Sequence, residues 1–160
     1  MKKLIVITGP TACGKTSLSV QVAKQLQTEI VSCDSRQFYK ELAIGTAKPT
    51  VDEMDGVIHH FIDSHSVTQE INAGEYERLA LPIINTLFES KDHVILCGGS
   101  GLFIDAITRG FDDMPQIKPE VREHLRETFI NSGIEPLQKQ LQELDPEYYQ
   151  FMDSENPQRV

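Results

Sequence analysis

The sequence predicts an α/β fold in which helices cover both faces of a parallel sheet and a small helical insertion follows. An apolar, β-branched run at residues 3–8 leads through a glycine-rich loop into a helical pattern. Residues 93–97 lead through a second glycine turn into another helical pattern. This alternation is typical of a parallel sheet. No strand-like run occurs in residues 112–151, and this absence predicts the insertion.

The other elements follow from apolar spacing and from helix-start signals. Leu18, Val22 and Leu26 recur at helical intervals after the first glycine loop. Asn72 with Glu75 three residues later resembles a capping box. We expect strands at residues 3–8, 29–32 and 93–97, a short edge strand or loop at 59–63, a loop with or without a short helix at 34–49, and helices at 17–27, 72–89 and 102–110.

The stretch after Gly110 is predicted to contain two helices. Pro119 occupies a first helical position and Gly133 a stop position, and Leu137, Leu141 and Leu144 space a further helix. We therefore expect an α/β core at residues 1–111, a helical insertion at 112–151, and the start of a return to the core at 152–160.

Composition indicates one globular domain in the cytoplasm. With 160 residues, 39% of them hydrophobic, the chain is long enough for one core. The apolar run after residues 1–3 is too short for a signal peptide or a membrane span, so we expect no membrane partner. Cys13, Cys33 and Cys97 form an odd set without a Cys-x-x-Cys pair, which argues against a disulfide framework or a zinc site.

The net charge of −9 is unevenly distributed along the chain. Residues 1–50 contain seven lysine or arginine residues against three acidic ones, whereas residues 51–160 contain eight against 21. An acidic body favours solubility, while a local basic region can still receive an anion. A polyanionic partner is therefore compatible with the composition.

The segment GPTACGKT matches the phosphate-binding pattern G-x-x-x-x-G-K-[ST], with a strand before it and a helix after it. Loop amides and the positive end of the helix would surround a diphosphate, Lys15 would add a charge, and the Thr16 hydroxyl would bind Mg²⁺. The pattern predicts a P-loop NTPase-like core of the ATP-binding type. The predicted diphosphate-binding residues are Gly9, Pro10, Thr11, Ala12, Cys13, Gly14, Lys15 and Thr16.

Two polar residues follow other strands at the same edge of the predicted sheet. Asp34 comes after the second strand and should face the phosphate loop, either as a proton acceptor or as a residue that caps a turn. Ser100 comes after the third main strand, where it either meets substrate or only caps its own helix. His59 and His60 are interpreted as packed or hydrogen-bonded residues rather than as metal ligands.

These residues leave three classes open: a small-molecule kinase, a nucleotide-hydrolysing switch, or a transferase whose substrate carries a diphosphate. A switch requires an aspartate after an apolar strand, but the strand at residues 93–97 leads into Gly98 and Gly99. This difference argues against a nucleotide-hydrolysing switch. The segment GGSG also lacks the full dinucleotide-binding pattern.

The order of several motifs resembles the tRNA dimethylallyltransferase family, also called tRNA isopentenyltransferases. These motifs are GPTACGKT, DSRQFYKELAIGTAKP, HHFID, GGSGLFIDAI, PEVR and NPQRV. The resemblance covers essentially the whole chain, although family members are typically longer and this chain stops at Val160 inside a motif, so a fragment is expected. Cys13 and Ser100 depart from the usual residues without removing the chemistry.

The resemblance implies transfer of a dimethylallyl group from dimethylallyl diphosphate to N6 of the adenosine next to the anticodon, position 37 of tRNA. It implies Mg²⁺, a monomer, and catalytic roles for Asp34, Ser100 and Lys15. The rival activities are an adenylate isopentenyltransferase and a P-loop small-molecule kinase. The tRNA contacts it implies are Asp34, Ser35, Arg36, Gln37, Ser100, Gly101, Arg122, Glu123, Gln158, Arg159 and Val160.

Overall fold

A computed structural model describes residues 1–111 and 117–160, and the chain divides into two compact units, Met1–Asp112 and Asp113–Val160. The first unit contains four strands and four helices among its described residues. They are β1 (Lys3–Thr8), α1 (Lys15–Leu26), β2 (Ile30–Ser32), α2 (Val51–Met54), β3 (His59–His60), α3 (Ala73–Ser90), β4 (His93–Gly98) and α4 (Gly101–Thr108).

The four strands form one parallel sheet in the order β1-β4-β2-β3. Lys3 pairs with His93 and Thr8 with Gly98, so β1 and β4 run together along their whole length. Since all strands are parallel, their carboxyl ends meet at one edge, where the loops after β1, β2 and β4 lie side by side. The predicted parallel sheet is confirmed.

Helices pack on both faces of this sheet, as predicted. Ile95 of β4 and Ile30 of β2 face Val20 and Ala23 of α1 in one core. The alternate residues of the strands face the other core, which α3 and α4 complete. Each face of a strand carries every second residue, so one strand contributes to both cores. The buried residues of the second core include Val31, Val94, Leu96, Tyr76, Ile84, Phe103 and Ala106.

The structure changes two details of the expected elements. Among the apolar residues that indicate α1, Val22 packs against the core but Leu18 is 52% exposed. Ser19 is buried instead and donates a hydrogen bond to the carbonyl of Thr16 (2.9 Å). Asn72 caps α3 through Glu75 N–H, but the Glu75 carboxylate pairs with Arg78 instead of completing a capping box. Ser19 can be buried in α1 because a backbone carbonyl satisfies its hydroxyl.

The segment at residues 59–63 begins with an edge strand. His59 donates from Nδ1 to the carbonyl of Val57 (2.9 Å), and His60 Nε2 lies 2.7 Å from a Glu29 carboxylate oxygen. The two histidines are therefore hydrogen-bonded, each to a separate partner. Burial lowers the pKa of His59, so this residue stays neutral near neutral pH.

The second unit contains three helices among its described residues: α5 (Pro119–Ser132), α6 (Glu135–Leu144) and α7 (Pro146–Phe151). Pro119 is the first residue of α5, and Gly133 ends it with a φ of 75°. The helix α7 was not anticipated. Residues 112–116 of the expected insertion lie outside the described residues, and its role as an insertion, like the return of residues 152–160 to the core, stays a prediction.

Within the described parts of the chain, every helix falls short of the length or the apolar character that crossing a bilayer requires.

Candidate active site

The phosphate loop ends in an uncapped helix. The helix α1 begins at Lys15, and the residue before it, Gly14, has a φ of 87° and no side chain that could cap the helix. The first amides of α1 are thus available for an anion, which is the arrangement that favours phosphate binding. The Lys15 ammonium donates to the carbonyl of Pro10 (2.7 Å), which holds it over the same loop.

A cleft of about 370 Å³ opens in front of this loop. Thr11, Ala12, Gly14, Lys15 and Thr16 line it, whereas Gly9, Pro10 and Cys13 belong to the loop but not to the cleft wall. A Cβ at Gly9 would lie only 3.1 Å from Cys13 Sγ, so the tight turn of this loop favours glycine at position 9. The other lining residues are Ser17, Asp34, Gln37, Ala47, Lys48, Glu53, Cys97 and Gly98.

Asp34 lies two residues after the end of β2 and lines this cleft, with one carboxylate oxygen hydrogen-bonded within its own turn. Its Oδ1 accepts a hydrogen bond from Arg36 N–H (3.2 Å), and its carbonyl accepts one from Gln37 N–H (3.1 Å). The two roles that the sequence left open for Asp34, proton acceptor and turn-capping residue, are therefore compatible. One carboxylate oxygen stabilises the turn, and the other lacks a protein hydrogen-bond donor among the described residues.

A close backbone contact fixes the position of Asp34. A Cβ at Gly98 would lie 2.5 Å from the carbonyl carbon of Cys33 and 2.8 Å from the backbone nitrogen of Asp34. Only glycine permits this approach without a backbone shift. The end of β4 thus packs directly against the turn that carries the carboxylate.

Ser100, which follows β4, forms a hydrogen bond with the same turn. It is the residue before α4, yet its hydroxyl does not cap that helix. The hydroxyl oxygen accepts a hydrogen bond from Ser35 N–H (3.1 Å) and lies 3.3 Å from the Ser35 hydroxyl. The expectation that Ser100 only caps its own helix is therefore wrong, because the loop after β2 provides the donor.

A second cleft, of about 170 Å³, lies beside the first. Asp34 and Thr11 line both clefts, so these two residues belong to the walls of each. The remaining lining residues of the second cleft are Ser35, Arg36, Gly45, Thr46, Gly99 and Ser100.

An aromatic cluster stabilises the segment from Ser32 to Phe38, which contains Asp34. The rings of Phe38, Phe61, Tyr76 and Phe103 pack with centroid separations of 5.0–5.7 Å. The buried Tyr76 hydroxyl donates to the carbonyl of Ser32, the last residue of β2 (2.9 Å), and burial raises the pKa of this hydroxyl. Since Phe38 is fully buried four residues after Asp34, the cluster anchors both ends of the turn.

Two thiols near the cleft are held in their protonated form. Burial raises the pKa of Cys33 to about 12, and burial also raises the pKa of Cys97. A thiolate is the form that acts as nucleophile or metal ligand, so these residues serve as small packing groups.

Two charged residues of the first cleft, Lys48 and Glu53, were not predicted from the sequence. Lys48 is nearly buried; its ammonium donates to the carbonyl of Tyr39 (2.7 Å) and to an Asp63 oxygen (2.5 Å). The only sequence signal for Lys48 was its place in the GTAKP motif. Its partner cannot be read from local spacing, because Asp63 lies 15 residues away.

The first cleft suits a magnesium ion that is held mainly by a phosphate ligand. The Thr16 hydroxyl and the carboxylates of Asp34 and Glu53 line it, and Mg²⁺ commonly takes one or two protein oxygens together with substrate phosphates. No cluster of three or more histidine, cysteine or acidic residues suited to a metal occurs in residues 1–111 or 117–160. The protein alone would thus supply only part of the coordination.

The other residues predicted to contact RNA fall into two groups. Gln37 lines the first cleft, but its amide nitrogen donates to the carbonyls of Thr46 (3.2 Å) and Ala47 (3.0 Å), so its side chain holds the loop. Gly101 is the first residue of α4. The second unit contains the rest: Arg122 and Glu123 are exposed on α5, Gln158 and Arg159 are exposed after α7, and Val160 is half-buried. Their roles stay predictions.

Comparison with known proteins gives a consistent set of relatives. The IPP transferase family model matches residues 37–160. A tRNA dimethylallyltransferase of Flavobacterium johnsoniae is 54% identical over 160 residues, which are 100% of this chain and 52% of that protein. One of Cytophaga hutchinsonii is 49% identical, with 99% and 52% covered. The chain spans about half the length of the curated relatives it matches.

Solved structures agree with the fold. A full-length tRNA isopentenylpyrophosphate transferase from Bacillus halodurans is 35% identical, with a TM-score of 0.69 and coverage of 99% of this chain and 52% of that one. A eukaryotic dimethylallyltransferase acting on tRNA is 23% identical, with a TM-score of 0.84 and coverage of 99% and 39%. At that identity the second match bears on the fold alone, and it supports the P-loop NTPase-like architecture.

Proposed function

We propose a function from one premise: this chain belongs to the IPP transferase family. The proposed reaction moves a dimethylallyl group from dimethylallyl diphosphate to N6 of the adenosine next to the anticodon of a tRNA, at position 37, and releases diphosphate. The names of the relatives support the reaction class. The observation that carries the proposal is that Asp34 lines both clefts, of which the first is also lined by Lys15 and Thr16 of the phosphate loop.

The donor would occupy the first cleft. Its diphosphate fits the free amides at the start of α1, and Lys15 would exchange the carbonyl of Pro10 for a phosphate oxygen. When the bond between C1 of the isoprenoid and the diphosphate oxygen breaks, the electron pair stays on that oxygen. Lys15 and the amides would stabilise this growing charge, as preorganised donors do in other sites.

The acceptor adenine would enter the second cleft. N6 forms the new bond to C1 and loses one proton, which the unbound oxygen of Asp34 would accept. The amine of adenine is a poor nucleophile because its electron pair is delocalised into the ring, so a carboxylate beside it favours the attack. The adenosine would have to leave its stack to reach this recessed position.

Ser100 would act through the turn that carries Asp34. Its hydroxyl holds Ser35 N–H and so orients the wall of the second cleft. Further RNA contacts are proposed for Ser35, Arg36, Gln37, Gly101, Arg122, Glu123, Gln158, Arg159 and Val160.

Magnesium is the proposed metal, with Thr16 as the protein ligand and the diphosphate supplying further oxygens. The ion would neutralise charge on the leaving diphosphate. We further propose that the protein acts as a monomer in the cytoplasm, without a membrane partner.

A titration and a transfer assay test this proposal. The chain is titrated with dimethylallyl diphosphate and with ATP, each with and without Mg²⁺, and we expect magnesium-dependent preference for the isoprenoid. A chain extended to the length of its relatives is then incubated with an anticodon stem-loop RNA, and mass spectrometry measures the added dimethylallyl group. A control RNA carries inosine, which lacks the N6 amine, at the reactive position.

Each alternative gives a different result. Preference for ATP with phosphate transfer would point to a kinase, and modification of AMP in place of the RNA would point to an adenylate isopentenyltransferase. Equal modification of the adenosine and inosine RNAs would overturn the proposed acceptor atom.

A further inference from the structure

The loop between β2 and α2 exposes one apolar side chain completely. Ile44 is 99% exposed at the tip of residues 40–47, here called the tip loop. Single exposed apolar residues are common on protein surfaces and require no explanation by themselves. Ile44 differs because Gly45 and Thr46, the next two residues, line the second cleft. The side chain therefore stands beside the mouth of the proposed acceptor site.

The tip loop is held at both ends. Before the tip, the Glu41 carboxylate accepts hydrogen bonds from the Ser66 hydroxyl (2.8 Å) and from Val67 N–H (3.1 Å). After the tip, the Thr46 hydroxyl donates to the carbonyl of Leu42 (2.9 Å). Gln37 adds two more bonds to Thr46 and Ala47. These contacts keep Ile44 at the surface.

The charges around the tip loop favour an anionic partner. Arg36 and Lys40 are both exposed on this side of the molecule. Glu41, the one acidic residue of the tip loop, has its carboxylate occupied by Ser66 and Val67, and the Ser66 hydroxyl, as the strongest influence, lowers the pKa of this carboxyl. An exposed apolar side chain among accessible cations matches a nucleic acid loop, which offers phosphates and unstacked base faces.

We propose that Ile44 is an apolar wedge that contacts the base faces uncovered when the acceptor adenosine leaves the RNA stack. The proposal rests on the function given above. Proteins that unstack nucleic acid commonly insert apolar side chains such as isoleucine between bases. Removing a base from a stack costs free energy, and contact with an apolar side chain would offset part of this cost. The group that contacts the Ile44 side chain is thus an RNA base next to the reactive adenosine.

The test compares Ile44→Ser with two controls in a chain extended to the length of its relatives. Val51→Ser removes another highly exposed apolar side chain, one outside both clefts, and Ile44→Leu retains an apolar side chain. The probe is an anticodon stem-loop RNA with 2-aminopurine at the reactive position, whose fluorescence rises on unstacking. We expect Ile44→Ser to reduce both this rise and kcat/KM for the unlabelled RNA, the latter roughly 5- to 30-fold, which corresponds to a loss of about one to two kcal/mol.

Donor affinity and the melting temperature should remain at wild-type values in Ile44→Ser, and both controls should behave like wild type. The wedge is overturned if Ile44→Ser unstacks and modifies the RNA as well as wild type does. It is also overturned if Ile44→Ser lowers the melting temperature together with donor affinity, because another part of the longer chain would then cover Ile44. Failure of the proposed function appears differently, as absence of transfer by the wild-type chain.

Discussion

The Ser100 hydroxyl holds the backbone of Ser35, 65 residues earlier in the chain, through a hydrogen bond of 3.1 Å. This bond connects the loops after β2 and β4 beside Asp34. Replacement by alanine leaves a partly buried N–H without its acceptor, at a typical cost of about 1–3 kcal/mol.

We expect Ser100→Ala to lower RNA turnover about tenfold, because the turn that carries Asp34 loses its tie to β4. Ser100→Thr retains the hydroxyl and is the matched control, which should stay near wild type. Steady-state kinetics with varied RNA and saturating donor measure the effect. Equal loss in both variants would show that the position is sensitive to shape and that the hydroxyl has no special role.

Asp34→Asn should separate chemistry from binding. The amide oxygen can still accept the hydrogen bond from Arg36 N–H, so the turn is retained, but the amide cannot take the N6 proton. Single-turnover transfer should fall on the order of 10² to 10⁴-fold, the usual contribution of general base catalysis, with donor and RNA dissociation constants near wild type.

Asp105→Asn changes a half-buried aspartate on α4, one that pairs with Arg109, and serves as the control. If Asp34→Asn turns over normally, Asp34 is only a turn residue. If the variant instead fails to bind donor with Mg²⁺, Asp34 belongs to the metal site.

Lys15→Ala should lose affinity for dimethylallyl diphosphate. The substitution removes the mobile cation of the phosphate loop and leaves Gly9 and Gly14 in place, so the loop can still form. Lys24→Ala is the matched control, because Lys24 lies on the same helix but forms an exposed ion pair with Asp55. Calorimetric titration measures both variants. Unchanged affinity in Lys15→Ala would mean that the donor binds elsewhere.

Gly98→Ala should destabilise the fold and displace Asp34. The new Cβ would meet the backbone of Cys33 and Asp34 at 2.5–2.8 Å, which requires a main-chain shift. We expect a loss of roughly 1–3 kcal/mol in the free energy of unfolding, as for other overpacked sites. Gly101→Ala is the control: a Cβ there meets no atom within 4 Å, and alanine favours the helix. Urea unfolding compares the two, and similar stability would contradict the contact.

His59 should make the fold less stable in acid. Burial lowers its pKa below the ordinary histidine value of about 6.5. Above that value neither the folded nor the unfolded chain is protonated at this site. As the pH falls below it, the unfolded chain binds a proton first, so the free energy of unfolding decreases. Between roughly pH 7 and 5, the free energy of unfolding should therefore change less with pH in His59→Gln than in wild type. An unchanged pH dependence in the variant would contradict burial of the neutral ring.

The elements at the sheet edge could be predicted from the sequence because local rules govern them. The loop from Gly9 to Thr16 is a continuous motif, and Asp34 follows a buried strand whose carboxyl end must meet the others in a parallel sheet. The partner of Ser100 could not be predicted in the same way. Its donor lies in a distant loop, and a serine before a helix is locally typical of a cap.

Packing details were also beyond local rules. Apolar spacing favoured Leu18 as a core residue of α1, but the sheet contacts Val20 and Ala23, while Ser19 is buried because its hydroxyl is satisfied by the backbone. Lys48 was missed because its burial depends on Asp63. Each case depends on a tertiary partner that spacing along the chain does not encode.

The contact of Gly98 with the Cys33 and Asp34 backbone has a consequence for enzyme engineering. Because main-chain atoms set the distance between the end of β4 and the turn that carries Asp34, libraries that vary neighbouring side chains would leave that distance intact. The far wall of the second cleft, at Gly45 and Thr46, consists of a surface loop instead. Variation aimed at a differently shaped acceptor would still begin at Arg36, the exposed side chain that lines this cleft, because Gly45 has a φ of 76°, which favours glycine, and the Thr46 hydroxyl binds the carbonyl of Leu42. Gly98 would be left invariant.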